Sequence, residues 1–137
     1  MSETHRFSTE IYWEDTVAAG IVYYANYLGI LERSRSVLVR GASIDQAALL
    51  DNEGVMFPVR RCEINYLQQL HPDNQIEVRT RVQKIGGANM EMGLDIHRGD
   101  EHTVRSKVRL ACVGRSGRPQ RLAAHIRAAL NEITIAS

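Results

Sequence analysis

The stretch of sequence that decides the fold is YYANYLGILERSRSVLVR, residues 23–40. Its apolar side chains recur at intervals of three and four residues, which is the spacing of one helix face. That face consists of Tyr24, Tyr27, Leu28, Leu31 and Leu38, widened by Ile30, Val37 and Val39. We therefore predict one long, largely buried helix that ends at Gly41.

The segments on either side of this helix predict a short strand and a second helix. Residues 6–13 combine β-branched and aromatic side chains and suit a first strand. Asp15 or Thr16 follows and is available to cap the long helix. Beyond that helix, residues 43–52 predict a shorter one, which Gly54 closes.

Farther along the chain the apolar period changes from helical spacing to two. Residues 76–83, 90–97 and 104–112 each alternate apolar and polar side chains, and a less regular strand, 55–67, precedes them. Residues 122–130 predict a last helix. A one-faced antiparallel sheet must cover its apolar face, and the long helix is the element large enough to do so. We predict a single α+β domain over residues 1–137, with a curved antiparallel sheet wrapped around a central helix.

Composition excludes several classes of protein. The chain has 137 residues, of which 44% are hydrophobic and 24% are charged, and this is typical of a soluble globular domain. No apolar run approaches the ~20 residues of a membrane helix, and the first residues lack a secretory signal pattern. Cys62 and Cys112 are too few for a disulfide framework. We expect a cytoplasmic protein without a transmembrane segment or a metal site.

Charge is distributed unevenly along a nearly neutral chain. The net charge is +1, yet residues 102–131 contain seven Lys or Arg residues and no acidic one. This stretch is either a solvated outer face or a surface for phosphate groups. A nucleotide-containing ligand suits it better than nucleic acid, because aromatic residues make up only 6% of the chain.

A family resemblance lies in residues 13–27, WEDTVAAGIVYYANY. This stretch resembles the signature of the 4-hydroxybenzoyl-CoA thioesterase family, most closely its YbgC-like, Tol-Pal-associated branch. The likeness continues into residues 32–35, ERSR. It implies the hotdog fold and an acyl-CoA thioesterase that works as a homodimer or homotetramer, with active sites at the subunit boundary. It implies no cofactor, since coenzyme A is part of the substrate.

The resemblance also assigns catalytic positions. In the family the turn before the helix reads Asp-x-Asp, and its second aspartate is the catalytic carboxylate. This chain has Asp15 in the first place and Val17 in the second. Valine can neither attack a carbonyl nor accept a proton. The thioester oxygen is expected to face the backbone N–H of Tyr24 at the helix start, a position where YbgC-like proteins often carry histidine.

The remaining candidates are substrate-binding residues. At the junction they are Gly20, Tyr23, Asn26 and Tyr27, and for the coenzyme A phosphates they are Arg60, Arg61, Arg81, Lys84 and the basic segment 115–121. Each has a structural alternative: Asp15 as a cap, Asn26 in a local hydrogen bond, the tyrosines in packing and the cations in solvent. Glu63 is an exposed strand residue or a carboxylate on another element. Because of Val17, the enzyme hypothesis stands beside a non-catalytic acyl-CoA-binding or envelope-associated assembly module.

Overall fold

Five strands form one antiparallel sheet in the computed structural model, which describes residues 5–16, 22, 24–42 and 44–132. In chain order the strands are β1 (His5–Glu10), β2 (Val59–Tyr66), β3 (Gln75–Ile85), β4 (Asn89–Arg98) and β5 (Glu101–Ala111). Their order across the sheet is β1-β3-β4-β5-β2, so β1 and β2 are the two edges. Three helices accompany them: α1 (Tyr24–Gly41), α2 (Gln46–Glu53) and α3 (Ala124–Glu132). The predicted α+β element order is confirmed.

The period-two pattern of the central strands produces a one-faced sheet. On β3 and β4 the buried side chains are those at every second position, namely Ile76, Val78, Thr80, Val82, Met90, Met92, Leu94 and Ile96. The residues between them are mostly charged and face the opposite side, as alternation along a pleated strand requires. The sheet therefore has an apolar inner face and a charged outer face.

The long helix α1 covers the inner face of the sheet. Its buried residues include Tyr27, Leu31 and Leu38, and the Ser34 hydroxyl hydrogen-bonds to the Thr80 hydroxyl at 3.0 Å in the core. α3 adds Ile126 and Leu130 to the same core. The prediction of a largely buried helix is only partly correct, because the face of α1 that includes Ala25, Leu28, Gly29 and Glu32 remains exposed in one chain.

Several predicted boundaries differ from the observed ones by a few residues, including the strand predicted at 55–67 and the helix predicted at 122–130, and side-chain capping explains two others. The first strand ends at Glu10 instead of residue 13, because Trp13–Asp15 form a 3-10 turn in which the Asp15 carboxylate accepts the Tyr12 N–H at 2.9 Å. The short helix begins at Gln46 instead of residue 43, since the Asp45 carboxylate accepts the Ala48 N–H at 3.0 Å and caps it there.

Replacing Gly54 with alanine is expected to lower the free energy of unfolding by about 1–2 kcal/mol or more. Gly54 ends α2 at φ +68°, and a methyl group there would meet the Arg115 side chain, whose guanidinium donates to the Asp51 carbonyl at 3.3 Å. Urea unfolding measures the loss. Gly41→Ala is the matched control, because a methyl group at Gly41 contacts nothing within 4 Å and should leave stability equal or higher.

Candidate active site at the start of the long helix

The turn before α1 is held by its own side chains. Besides the Asp15–Tyr12 hydrogen bond, the Thr16 hydroxyl donates to the Trp13 carbonyl at 2.6 Å, and the Asp15 N–H donates to the Tyr12 carbonyl at 3.0 Å. The Asp15 carboxylate thus caps the 3-10 turn behind it instead of the helix ahead of it, which corrects the predicted direction of capping. One oxygen of the Asp15 carboxylate is therefore engaged within the turn, while the role of Asp15 as a base stays a prediction.

Asn26 ties the turn to the first turn of α1. Its side-chain N–H donates to the backbone carbonyl of Asp15 at 2.7 Å, across eleven residues of chain. This is not the local hydrogen bond within the helix that the sequence suggested. The contact fixes where the turn meets the helix, so Asn26 is a positioning residue for the junction.

Tyr27 anchors the same end of α1 to the opposite side of the fold. The side chain is buried, its hydroxyl accepts the Leu70 N–H at 3.4 Å, and its ring meets Tyr66 edge-on at 5.0 Å between centroids. The Leu70 carbonyl in turn accepts the Val22 N–H at 3.0 Å. These contacts favour the packing role for Tyr27 and make the start of α1 a rigid platform.

The structure does not bring all sequence-predicted residues together. Val17, Gly20 and Tyr23 lie outside the described residues, so their predicted roles stay predictions. Tyr24 is the first residue of α1, which places its backbone N–H among those that a helix leaves without an intrahelical acceptor. Asp15 and Asn26 meet at this end of the helix.

The cations predicted to bind phosphates lie apart from one another. Arg60 and Arg61 are on the edge strand β2, whereas Lys84 is on β3, with β5 and β4 between these two strands. Glu63 is an exposed residue of β2, and its carboxylate forms an ion pair with the Arg61 guanidinium at 2.7 Å. Because of this arrangement, a single phosphate group cannot contact Arg60, Arg61 and Lys84 together.

The acid-free stretch 102–131 does not form an acid-free surface, which corrects the sequence interpretation. Lys107 and Arg109 of β5 both pair with Glu91 of β4, at 3.7 and 2.9 Å, and the hydrogen bond from Arg109 is the main cause of the lowered pKa of Glu91. Arg127 donates to the carbonyls of Gly86 and Gly87 at 3.0 and 3.1 Å. Neighbouring strands supply the acids that the linear sequence lacks.

Sequence reasoning missed an apolar cavity between α1 and the edge strand β2. Its volume is about 240 Å³, and it is lined by Leu28, Leu31, Glu32, Arg35, Val59, Cys62, Leu94 and Val108. This exceeds the ~150 Å³ of an engineered protein cavity that binds benzene. One aromatic ring or a short aliphatic chain therefore fits inside it. The signal available in the sequence was the ERSR quartet, whose first and last residues both line the cavity.

Glu32 and Arg35 are the charged residues of this cavity among the described part of the chain. The Arg35 guanidinium donates to the Glu32 carboxylate at 3.1 Å, and its side chain is 12% exposed against 66% for Glu32. Burial lowers the pKa of Arg35, and the Glu32 charge partly offsets that effect. Nη1 of Arg35 is buried and has no hydrogen-bond partner within the described residues. The pair thus joins a mostly exposed carboxylate to a nearly buried guanidinium at this cavity.

Histidines form a second feature that the sequence did not reveal. His97 and His102 stack in parallel at 4.6 Å on the outer face, and Asp95 lies 3.6 Å from His102. Burial, followed by the charge of Arg79, lowers the pKa of His97.

Across residues 5–16, 22, 24–42 and 44–132, no group of three or more His, Cys, Asp or Glu side chains is arranged to hold a metal ion. None of the described helices is long and apolar enough to cross a bilayer.

Comparison with known proteins agrees with this architecture. The family model that matches residues 11–130 is described as the thioesterase-like superfamily. The acyl-CoA thioesterase YbgC of Haemophilus influenzae is 32% identical over 107 residues, which is 78% of this chain and 79% of that protein. The acyl-CoA thioester hydrolase YbgC of Escherichia coli O157:H7 is 33% identical over 85 residues, covering 62% of this chain and 63% of its own length.

Solved structures show the same fold. A probable thioesterase from Bartonella henselae superposes with a TM-score of 0.84 at 33% identity, covering 88% of this chain and all of that one. A 1,4-dihydroxy-2-naphthoyl-CoA thioesterase from Synechocystis reaches a TM-score of 0.88 at 13% identity, covering 96% and 98% of the two chains. At that identity the second likeness concerns the fold alone. The predicted hotdog fold is confirmed.

Proposed function

The chain belongs to the thioesterase-like superfamily, and from that premise we propose that it hydrolyses the thioester bond of acyl-CoA to a free acid and coenzyme A. The observation that carries the proposal is the rigid junction of turn and helix, where Asn26 bonds to the Asp15 carbonyl at 2.7 Å and α1 starts at Tyr24. A relative that is named an acyl-CoA thioesterase and aligns with 78% of this chain supports the same activity.

The junction suits the electrostatic part of thioester hydrolysis. Attack on the carbonyl carbon places negative charge on its oxygen, and N–H groups at a helix start stabilise such a charge through hydrogen bonds and the helix dipole. In this proposal the Tyr24 N–H is the oxyanion donor. Gly20 and Tyr23 remain candidates for substrate binding on the basis of the family resemblance alone, and Asn26 and Tyr27 hold the helix start through their contacts with Asp15 and Leu70.

Val17 limits the rate in this proposal. The family carboxylate is missing at that position, and the Asp15 carboxylate is held by the Tyr12 N–H at 2.9 Å. Oxyanion stabilisation remains when the base is lost, so slow turnover is expected instead of none. The alternative, a non-catalytic acyl-CoA-binding or envelope-associated assembly module, predicts binding without any turnover.

We propose that the working unit is at least a homodimer formed through β2. The free edge of this strand exposes unpaired backbone groups, which favours strand pairing with a second copy. Large apolar side chains are exposed on β2 and on the neighbouring face of α1. The exposed fractions are 47% for Val59, 42% for Tyr66 and 48% for Leu28. A homotetramer would pair two such dimers. The proposed compartment is the cytoplasm, where acyl-CoA is available.

The test of the proposed function is hydrolysis of a panel of aromatic and aliphatic acyl-CoA thioesters. The rate is measured as the release of the free coenzyme A thiol. Turnover above the uncatalysed rate supports it. Tight binding of acyl-CoA with no turnover would support the binding-module alternative instead. Binding of DNA or RNA that coenzyme A fails to displace would contradict the assignment of the basic residues to coenzyme A.

Replacing Arg60 with alanine is expected to raise KM for acyl-CoA about two- to fivefold with little change in kcat. The reason is that an exposed ion pair with a phosphate contributes roughly 0.2–1 kcal/mol, and 1.4 kcal/mol corresponds to tenfold. Steady-state kinetics at low and high ionic strength measures the effect, which salt should abolish. Arg40→Ala on the last turn of α1 is the control and should leave KM unchanged.

A further inference from the structure

A buried cation lies where the apolar cavity between α1 and β2 meets a second, smaller space. Within the described part of the chain, Arg35 is the one residue that lines both the cavity of about 240 Å³ and this space of about 10 Å³. Its side chain is 12% exposed. We propose that Arg35 selects the acyl group of the substrate: its guanidinium closes the inner end of the cavity and donates a hydrogen bond to an uncharged oxygen at the end of a medium-length acyl chain. This inference rests on the proposed function.

The guanidinium of Arg35 has an N–H donor that lacks an acceptor. Nη2 donates to the Glu32 carboxylate at 3.1 Å, whereas Nη1 is buried and has no partner among the described residues. Leaving a buried donor unpaired costs more than a hydrogen bond gains, so nearly all such donors in proteins find a partner. The smaller space is at the limit of what one water molecule needs, while the larger cavity has room for a ligand. An oxygen atom of an acyl group in the larger cavity is therefore the acceptor that suits Nη1.

The ion pair with Glu32 decides the charge of that oxygen. Nη1 and Nη2 belong to one guanidinium, so a carboxylate on Nη1 would lie close to the Glu32 carboxylate and be repelled by it. A keto or hydroxyl oxygen meets no such repulsion. It still receives a hydrogen bond from a charged donor, which is stronger than one from a neutral donor. An oxoacyl or hydroxyacyl chain is thus preferred to a carboxyacyl chain.

The volume of the cavity sets the length of the acyl chain. An engineered cavity of ~150 Å³ takes one benzene ring of six carbon atoms. In the same proportion, a cavity of about 240 Å³ takes roughly eight to ten carbon atoms. The walls include Leu28, Leu31 and Val108, which suit the methylene groups of such a chain.

A longer saturated chain would meet the Arg35 guanidinium. Its terminal methyl group would take the place of an oxygen acceptor and leave Nη1 buried without a partner, so apolar extension is penalised. On the other side of Arg35, Met90 and Met92 line the smaller space, and methionine side chains adapt their shape readily. Removal of the Arg35 side chain is therefore expected to join the two spaces and to admit more of the chain.

Binding of thioether analogues tests this selection without any turnover. In an S-alkyl-coenzyme A a methylene group replaces the thioester carbonyl, so the analogue cannot be hydrolysed, and calorimetry measures its Kd. One series has saturated chains of increasing length. A second series has chains that end in a methyl ketone, an isopropyl group or a carboxylate, which contain the same number of heavy atoms and differ in oxygen content and charge.

For the parent chain we expect affinity to rise up to about eight to ten carbons and to fall beyond that length. The ketone that fits best should bind about tenfold more tightly than its isopropyl counterpart, because its acceptor pairs with a charged donor. Arg35→Ala should extend the length limit by about four to six carbons, the room of the missing side chain.

Two further variants separate the donor from the volume of the side chain. Arg35→Met keeps most of the side-chain length without a donor, so it should lose the ketone preference and keep a length limit close to that of the parent. It also serves as the test if Arg35→Ala does not fold. Arg33→Met is the matched control, because Arg33 is exposed on the same helix and lines neither space, and it should bind both series like the parent chain.

Three results would overturn the proposal: a length profile of Arg35→Ala equal to that of the parent, equal parental affinity for ketone and isopropyl ends, or tighter binding of the carboxylate end. If the parent chain hydrolyses acyl-CoA while any of these holds, the role of Arg35 is wrong and the proposed function stands. If the analogues bind with the expected selectivity but the matching thioesters are not hydrolysed, the role of Arg35 stands and the proposed function is wrong.

Discussion

Val17→Asp is expected to raise kcat/KM for acyl-CoA by about 10²–10⁴-fold, the usual contribution of a general base. The helix start at which the substrate is proposed to bind is already joined to Asp15, through the Asn26 side chain at 2.7 Å. The substitution supplies the second aspartate of the family's Asp-x-Asp turn. Single-turnover hydrolysis of the parent and the variant measures the gain, and thermal unfolding of both checks that the fold is unchanged.

The control for that gain is Val17→Asn, which has nearly the same size as aspartate but cannot accept a proton. It should remain as slow as the parent chain. Asp15→Asn provides the opposite check, because it weakens the hydrogen bond to the Tyr12 N–H and should mainly destabilise the turn. A parent chain that is already fast and loses its rate in Asp15→Asn would mean that Asp15 is the base and that Val17 is not the defect.

Element type and order were predictable from the sequence because burial imposes a period. The helix face with Tyr27, Leu31 and Leu38 repeats every three to four residues, and β4 buries Met92 and Leu94 on one face beside Met90 and Ile96. Covering a one-faced sheet then leaves few arrangements for a helix of eighteen residues. The fold therefore follows from local pattern and from the need to bury apolar surface.

Much less of the site was predictable, because its contacts join residues that are far apart in the chain. Asn26 reaches back to Asp15, and Glu91 neutralises Arg109 from the neighbouring strand. The contact between Glu91 and Arg109 is created by the pairing of β4 with β5, which cannot be read from any short stretch of sequence. The cavity beside Glu32 is another such case. The chain runs from α1 through α2 into β2, and β2 then lies next to α1. Sequence periodicity specifies which faces are buried, but it does not specify which side chains meet at their edges.

Leu28→Arg is expected to separate the proposed dimer and to remove its activity. Leu28 is exposed beside the edge strand β2, through which the dimer is proposed to form, so the substitution places a charge in an apolar contact between the two copies. An unpaired buried charge costs about 3–5 kcal/mol, which corresponds to roughly 10²–10⁴-fold weaker association. Sedimentation at micromolar concentration should then give a single chain of 15.4 kDa.

Leu50→Arg is the matched control, because Leu50 is 46% exposed on α2 and lies outside the α1–β2 cavity. It should keep both the mass and the activity of the parent. If the active site lies at the proposed subunit boundary, the Leu28→Arg monomer must lose turnover while its thermal unfolding still reports a folded chain, and raising its concentration must restore part of the rate. A folded Leu28→Arg monomer with full activity would place the complete site within one chain, and it would contradict the proposed location of the site at the subunit boundary.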